Sequence, residues 1–327
     1  MPPHSSRRLL RGVPRPPPGP TSAPFQKRFE LDCTATSLLR SSIHVLEVYY
    51  GDGDPIWVEG KGKRACDTAA DAEKAWRRDI RHLRLRGKTS DYPDAIADHI
   101  ASCHIDGRCG SGACALCRRA FQRWFVDQAH RFFESRVTSS ALAAFCIILP
   151  IHIRGGDDHE HLKRLLRGVL RQLHDACASV GLSTVIGGVD ISRNHHNAKA
   201  HRPFFQLHFW GFAPFAEAQR ARSTLKALFP SSSETSRPVW IDPKTFDGNL
   251  AGYAYGMKTT FTRRQTVPAG VDADGKVRRQ NTRNGKSLTV AENQLLLPIL
   301  HILGLRGRLI LHGSELKSDV DGYAIIV

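Results

Sequence analysis

"STVIGGVDISRNHHNAKAHRPFFQLHFWGF", from Ser183 to Phe212, is the stretch on which the fold turns. Its two ends, "STVIGGVDIS" and "FFQLHFWGF", are apolar runs rich in β-branched and aromatic residues, and each has the length of a strand. Between them "RNHHNAKAHRP" is polar and reads as a loop, which allows the two strands to pair antiparallel, and its His195, His196 and His201 are further possible metal ligands or simply a polar turn. Side chains two apart on a strand share a face, so Gln206 and His208 stand together. One register of the pair sets Asp190 beside them. A carboxylate inside an apolar strand needs a cation, a basic side chain or water, because burying it unpaired is costly.

The flanks extend this pattern. "ALAAFCIILPIHI" (141–153) reads as a buried strand with an edge or bend at Pro150, and "HEHLKRLLRGVLRQLHDACASVG" (159–181) as a long amphipathic helix stopped by Gly181. After the central pair come a helix in "FAEAQRARSTLKALF" (215–229), a short strand in "RPVWIDP" (237–243) and a helix in "NLAGYAYGMKTTF" (249–261). The order strand, helix, strand, strand, helix, strand, helix predicts an α+β fold, an antiparallel sheet backed by helices of the split βαβ kind. Gly270 to Ser287 is polar and basic and reads as a flexible loop. A helix over Thr289–Leu303 and strand-like pieces "RLILHG" and "YAIIV" follow.

Upstream, "IHVLEVYYGDGDPIWV" (43–58) suits a hairpin, and "CDTAADAEKAWRRDIRHLRLRG" (66–87) a helix capped by Asp67 or Thr68 and stopped by Gly87. "YPDAIADHIASC" (92–103) and "RRAFQRWFVDQAHRFFES" (118–135) are two more helices. The expected organisation is a disordered basic arm over 1–29, an accessory helical region over 30–138 and a main domain over 139–265. A basic loop over 266–288 and a C-terminal helix with short strands over 289–327 complete it.

The formal net charge of +16, from 47 Lys+Arg against 31 Asp+Glu, attracts polyanions, above all a phosphate backbone. Arginines supply many of the basic clusters, including Arg77, Arg78, Arg81, Arg84 and Arg86, and their planar fork suits phosphate. No apolar run is long enough to cross a bilayer, and the N-terminus has no secretory pattern, so a cytoplasmic protein without a membrane partner is expected.

Cys103, Cys109, Cys114 and Cys117 lie close together with spacing C-x5-C-x4-C-x2-C, whereas the remaining cysteines are scattered. A local group of four thiols is more simply explained by structural zinc than by disulfides, with His104 an alternative to Cys103, or by partly buried free thiols. A closed set of four protein ligands leaves no open position for catalysis. In "YAYGMKTTFTRRQ" Tyr253 and Tyr255 precede Lys258. Tyr255 and Lys258 are three apart, so on a helix they share a face, and a phenol with a reference pKa of about 10 needs such a cation to become a nucleophile.

In this order, the cysteine-rich "CGSGACALCRRAFQRW", the acidic strand "GGVDIS", the pair in "FFQLHFWGF" and the Tyr255–Lys258 element resemble the HUH-type rolling-circle replication initiators of plasmids and phages. The resemblance spans Cys103 to Lys258. Gln206 falls where that family has the first of two metal-binding histidines. The resemblance implies that Asp190, Gln206 and His208 hold Mg²⁺ or Mn²⁺ and that Tyr255 attacks a phosphate to leave a 5′-phosphotyrosine. Tyr253 is a second nucleophile or a packing residue, and Lys258 stabilises charge. Arg118, Arg119, Arg123, Arg263 and Arg264 then hold DNA. The implied activity is nicking and rejoining of single-stranded or hairpin origin DNA during plasmid or phage replication, with a host helicase or polymerase as partner. The alternative is a noncatalytic DNA-binding zinc protein with a degenerate site; a zinc protein that binds RNA or serves structure is a third.

Overall fold

Helix signals at the start of the described chain are met by their local chemistry. The structure, a computed structural model, describes residues 68–85, 92–104, 107–136, 141–154, 159–196, 203–232, 235–271, 277–281, 286–319 and 322–326. The arm over 1–29, the hairpin over 43–58, Asp67, Gly87 and His201 lie outside these. Thr68 caps α1 (Ala69–Arg84) by accepting from the Asp71 amide, while the Asp71 carboxylate accepts from the Thr68 amide. Helices α2 (Tyr92–Ala101) and α3 (Ala115–Arg136) follow as the sequence predicts. In α3 the apolar residues Phe121, Trp124, Phe125 and Phe132 are buried.

The sheet grows from the central pair. Strands β1 (Leu142–Ile148), β2 (Val185–His196), β3 (Phe204–Pro214) and β4 (Val239–Ile241) lie in the order β4-β1-β3-β2, each antiparallel to its neighbour. Helix α4 (His159–Ser179) joins β1 to β2, and α5 (Phe215–Leu228) joins β3 to β4, which is the split βαβ connectivity. Leu162, Leu166, Val169, Leu170 and Leu173 form the buried stripe of α4. Beyond Pro150 the chain bends but stays attached, with Ile153 and Phe205 exchanging backbone hydrogen bonds.

The sheet is mixed, where an antiparallel one was expected. The outer edge of β2 is shared: β8 (Leu309–His312) pairs antiparallel with Val185–Gly188, and β5 (Thr262–Val271) pairs parallel with Arg193–His196. Parallel pairing needs a long crossover, and the α5–β4–α6 segment provides it. Helix α6 (Leu250–Gly256) is shorter than expected, and Lys258 falls in the coil beyond it. The polar stretch to Ser287 holds strands β6 (Val277–Asn281) and β7 (Lys286–Ser287), both antiparallel to β5, where a loop was expected. An edge strand needs only its backbone to pair, so polar composition does not forbid it.

Helix α7 (Val290–Leu303) starts at a second capping box, Thr289 with Glu292, and ends at Gly304. Strands β9 (Glu315–Asp319) and β10 (Gly322–Ile326) form a separate hairpin. Buried residues of α1–α3, the sheet and α7 belong to one continuous apolar cluster. No helix among the described residues is long and apolar enough to cross a membrane.

Candidate functional site

Alternation along the strands puts Cys146, Ile148, Asp190, His208 and Trp210 on one face of the sheet. Asp190 is opposite His208, Ile148 faces His208 from the other side, and Cys146 is opposite Trp210. Gly188 allows α6 to cross this face closely, since a Cβ there would stand 2.6 Å from the Gly256 carbonyl oxygen. The close crossing brings Tyr255 and Lys258 over the strands. A cavity of about 210 Å³ results, lined by Cys146, Ile148, Asp190, His208, Trp210, Arg237, Trp240, Tyr255 and Arg264.

Behind two of the lining residues, the Lys258 Nζ donates to Asp190 Oδ2 at 2.9 Å and lies 3.6 Å from the centre of the Tyr255 ring. Burial alone pulls the Lys258 pKa down, but the Asp190 carboxylate and the Tyr255 phenol outweigh it, and the ammonium is held above its ordinary value. Tyr255 is 41% exposed, with its ring 4.8 Å from that of Trp210. Trp210 in turn stacks on the exposed Trp240 at 5.4 Å. Burial pushes the His208 imidazole down to about 4, even with Asp190 opposing, so the ring is neutral at pH 7. The Cys146 thiol is pushed up to about 12 by burial and the Asp190 charge, and is not a thiolate.

The expected divalent-ion site does not fit these positions. Asp190 Oδ1 accepts from the Ile191 amide at 2.8 Å and Oδ2 from Lys258. His208 Nε2 lies 3.0 Å from the Ser192 hydroxyl. Gln206, opposite Ser192, takes no part in lining the cavity: its Oε1 accepts from Asn194 Nδ2, and its Nε2 donates to Thr235 Oγ1, both at 2.9 Å. Gln206 is thus a hydrogen-bond hub that joins β2, β3 and the chain before β4. His195 lies on the part of β2 that pairs with β5, and the side chain of His196 is outside the described residues.

Several further expectations change. Tyr253 is 2% exposed, packed among Phe133, Phe212 and Phe246, and burial pushes its phenol above the ordinary value, so it is a core residue and not a second nucleophile. Arg118, Arg119 and Arg123 are buried in α3, where they cannot reach a DNA backbone. Arg118 donates to the carbonyls of Gly112, Ala113 and Thr259, and its Nη2 pairs with Asp79 Oδ2 at 3.1 Å. Arg263 is half-buried away from the cavity, while Arg264 lines it. Sequence reading missed Arg237 and Trp240, both in "RPVWIDP". The signal was available: Trp240 sits between the buried Val239 and Ile241, so alternation turns it to the opposite face.

The four clustered cysteines do converge. Their Sγ atoms all lie within 4.8 Å of one another, with Cys103 and Cys109 at 3.5 and 3.7 Å from Cys117. A tetrahedral ion with zinc–sulfur bonds of about 2.3 Å sets sulfur–sulfur edges of about 3.8 Å, so the cluster can hold such an ion. His104 is exposed and outside the set. Cys103 ends the α2 segment, Cys117 lies in the first turn of α3, and the connecting loop docks on α7. There Ser111 Oγ meets His301 Nδ1 at 2.8 Å, and Gly112 lies so close to the Leu300 carbonyl that a Cβ would overlap it. No protein-family model, curated protein or solved structure matches the chain, so its chemistry is read from these residues alone.

Proposed function

We propose that the chain is a DNA strand-transfer enzyme that cuts and rejoins a phosphodiester through a 5′-phosphotyrosine on Tyr255, as a rolling-circle initiator does. The observation that carries this reading is the Lys258 ammonium, fixed between the Asp190 carboxylate and the Tyr255 ring, two residues that line a cavity with Arg237 and Arg264. An exposed tyrosine beside a fixed cation is what a phenolic nucleophile requires. In this reading the phosphate lies against Lys258 and Arg264. The Tyr255 oxygen forms a bond to phosphorus as the bond from phosphorus to the 3′ oxygen breaks. The phenolic proton passes to solvent, and the released 3′ oxygen takes a proton from solvent. The reverse step rejoins the strand. Exposed Trp240, stacked on Trp210, offers a surface for an unpaired base, and Arg237 offers a contact for the backbone. The four cysteines hold structural zinc, which fixes the start of α3.

The test is a covalent adduct assay on zinc-loaded protein with a pool of single-stranded oligonucleotides. Wild type and Tyr253→Phe form an adduct, and Tyr255→Phe forms none while keeping its DNA affinity. An adduct that survives Tyr255→Phe removes the assignment. A second reading, a DNA-binding protein without catalysis, is favoured by the hydrogen bonds that occupy Gln206, and it predicts DNA binding with no adduct from any variant.

A further inference from the structure

The cavity holds one carboxylate, Asp190, against Arg237, Arg264 and the adjoining Lys258. Its charge is positive whichever protonation state His208 holds. Magnesium sites are commonly built from one or two carboxylates with waters and substrate phosphates, and a surplus of cations repels a dication while it attracts a phosphate. The lone carboxylate is already engaged at both oxygens, by the Ile191 amide and by Lys258. The amide oxygen that would be the second donor is taken by Asn194, outside the cavity.

The ammonium is also fixed from behind. The Lys258 carbonyl accepts from Arg308 Nη2 at 2.8 Å, and the Thr259 carbonyl accepts from Arg118 Nε at 3.2 Å. Arg308, fully buried, also donates from Nε to the carbonyl of Val189, the residue before Asp190. One guanidinium therefore ties the backbone that carries the ammonium to the backbone that carries its carboxylate. A cation held this way is preorganised, and it need not rearrange when charge develops on a phosphate.

We propose that this site carries out its phosphodiester chemistry without a divalent cation, the Lys258 ammonium standing where a metal ion would otherwise act, with Arg264 as the second charge on the phosphate. This rests on the strand-transfer reading above and specifies the electrophile in it. Lys258 is then a catalytic residue, because it touches the reacting phosphate, and Arg308 is a positioning residue.

Two measurements on zinc-loaded protein test it. The first is the adduct rate in divalent-free buffer against the same buffer with Mn²⁺ or Mg²⁺. The rates are expected to agree within about twofold, whereas a site that depends on a metal for charge stabilisation would lose on the order of a hundredfold or more without it. An adduct formed only with added metal overturns the inference and leaves the strand-transfer reading standing. An adduct in neither buffer removes the strand-transfer reading, and with it a catalytic role for Lys258. The second measurement is Mn²⁺ titration followed by electron paramagnetic resonance, which reads the cavity whether or not an adduct forms. Wild type and Asp190→Asn are expected to leave the free Mn²⁺ signal equally intact. Binding by wild type that Asp190→Asn abolishes overturns the inference whatever the adduct assay shows.

Discussion

Replacing Arg118 by methionine distinguishes a buried strut from a DNA contact. The substitution keeps most of the side-chain volume and removes the charge, five donors and the pair with Asp79. Both partners are almost wholly buried, at 2% and 1% exposure. Removing one partner of a buried pair costs about 3 to 5 kcal/mol, because the other charge is stranded. Asp79 keeps the Arg78 guanidinium and the Asn293 amide, which argues for the lower end of that range. The carbonyls of Gly112, Ala113 and Thr259 lose their donor, which pushes the cost back up. With a melting shift of roughly 2 to 4 °C per kcal/mol for a chain of this order of size, Arg118→Met should melt about 10 °C lower. Thermal and urea denaturation of zinc-loaded protein measure this. Asp79→Asn in the same background should recover much of the loss, since the stranded charge is gone. DNA affinity, measured well below the melting temperature, should keep its salt dependence. If stability were unchanged while affinity fell and the salt slope dropped by about one, Arg118 would be a phosphate contact and the burial argument would fail.

Two other outcomes follow from the site. Purified chain should carry one tightly held zinc, measured by mass spectrometry of the metal, and Cys114→Ser should lose the zinc and much of the helical signal at physiological temperature. That thiol is fully buried at the start of α3, and metal binding at such sites is coupled to folding. Stability should also fall in mild acid. The folded chain keeps His208 neutral down to about 4, while the unfolded chain takes up its proton near the ordinary value of 6.5, so the contribution is full above pH 6.5 and is lost as pH falls toward 4. The shift corresponds to about 3 kcal/mol, and His208→Gln should flatten the stability profile across that window in urea titrations at stepped pH.

What the sequence disclosed and what it hid separate along a physical line. Periodicity and local chemistry are written in consecutive residues, so the β2–β3 pairing, the opposition of Asp190 and His208, the helix starts near Thr68 and Thr289 and the convergence of four thiols were all readable. The α+β order with its split βαβ connection was readable for the same reason. The parallel attachment of β5 was not, because it depends on how α6 crosses the sheet at Gly188. Nor could the sequence show which polar groups were already satisfied. Gln206 is committed by Asn194 and by Thr235, the latter 29 residues downstream, and Arg118, the first arginine after the last cysteine, is paired in the core with Asp79, 39 residues upstream. Basic residues after a C-x2-C look like a nucleic-acid face until that partner is found. The same long-range satisfaction determines the meaning of Lys258. Three residues from Tyr255 it suggested a shared helical face, yet it lies past the end of α6 and reaches the ring from a turn whose backbone Arg308 and Arg118 hold. A cation on a turn held by two buried guanidiniums from distant parts of the chain is expensive to assemble, and a merely packed surface lysine would need neither. That cost is the strongest structural reason to look for chemistry at Tyr255.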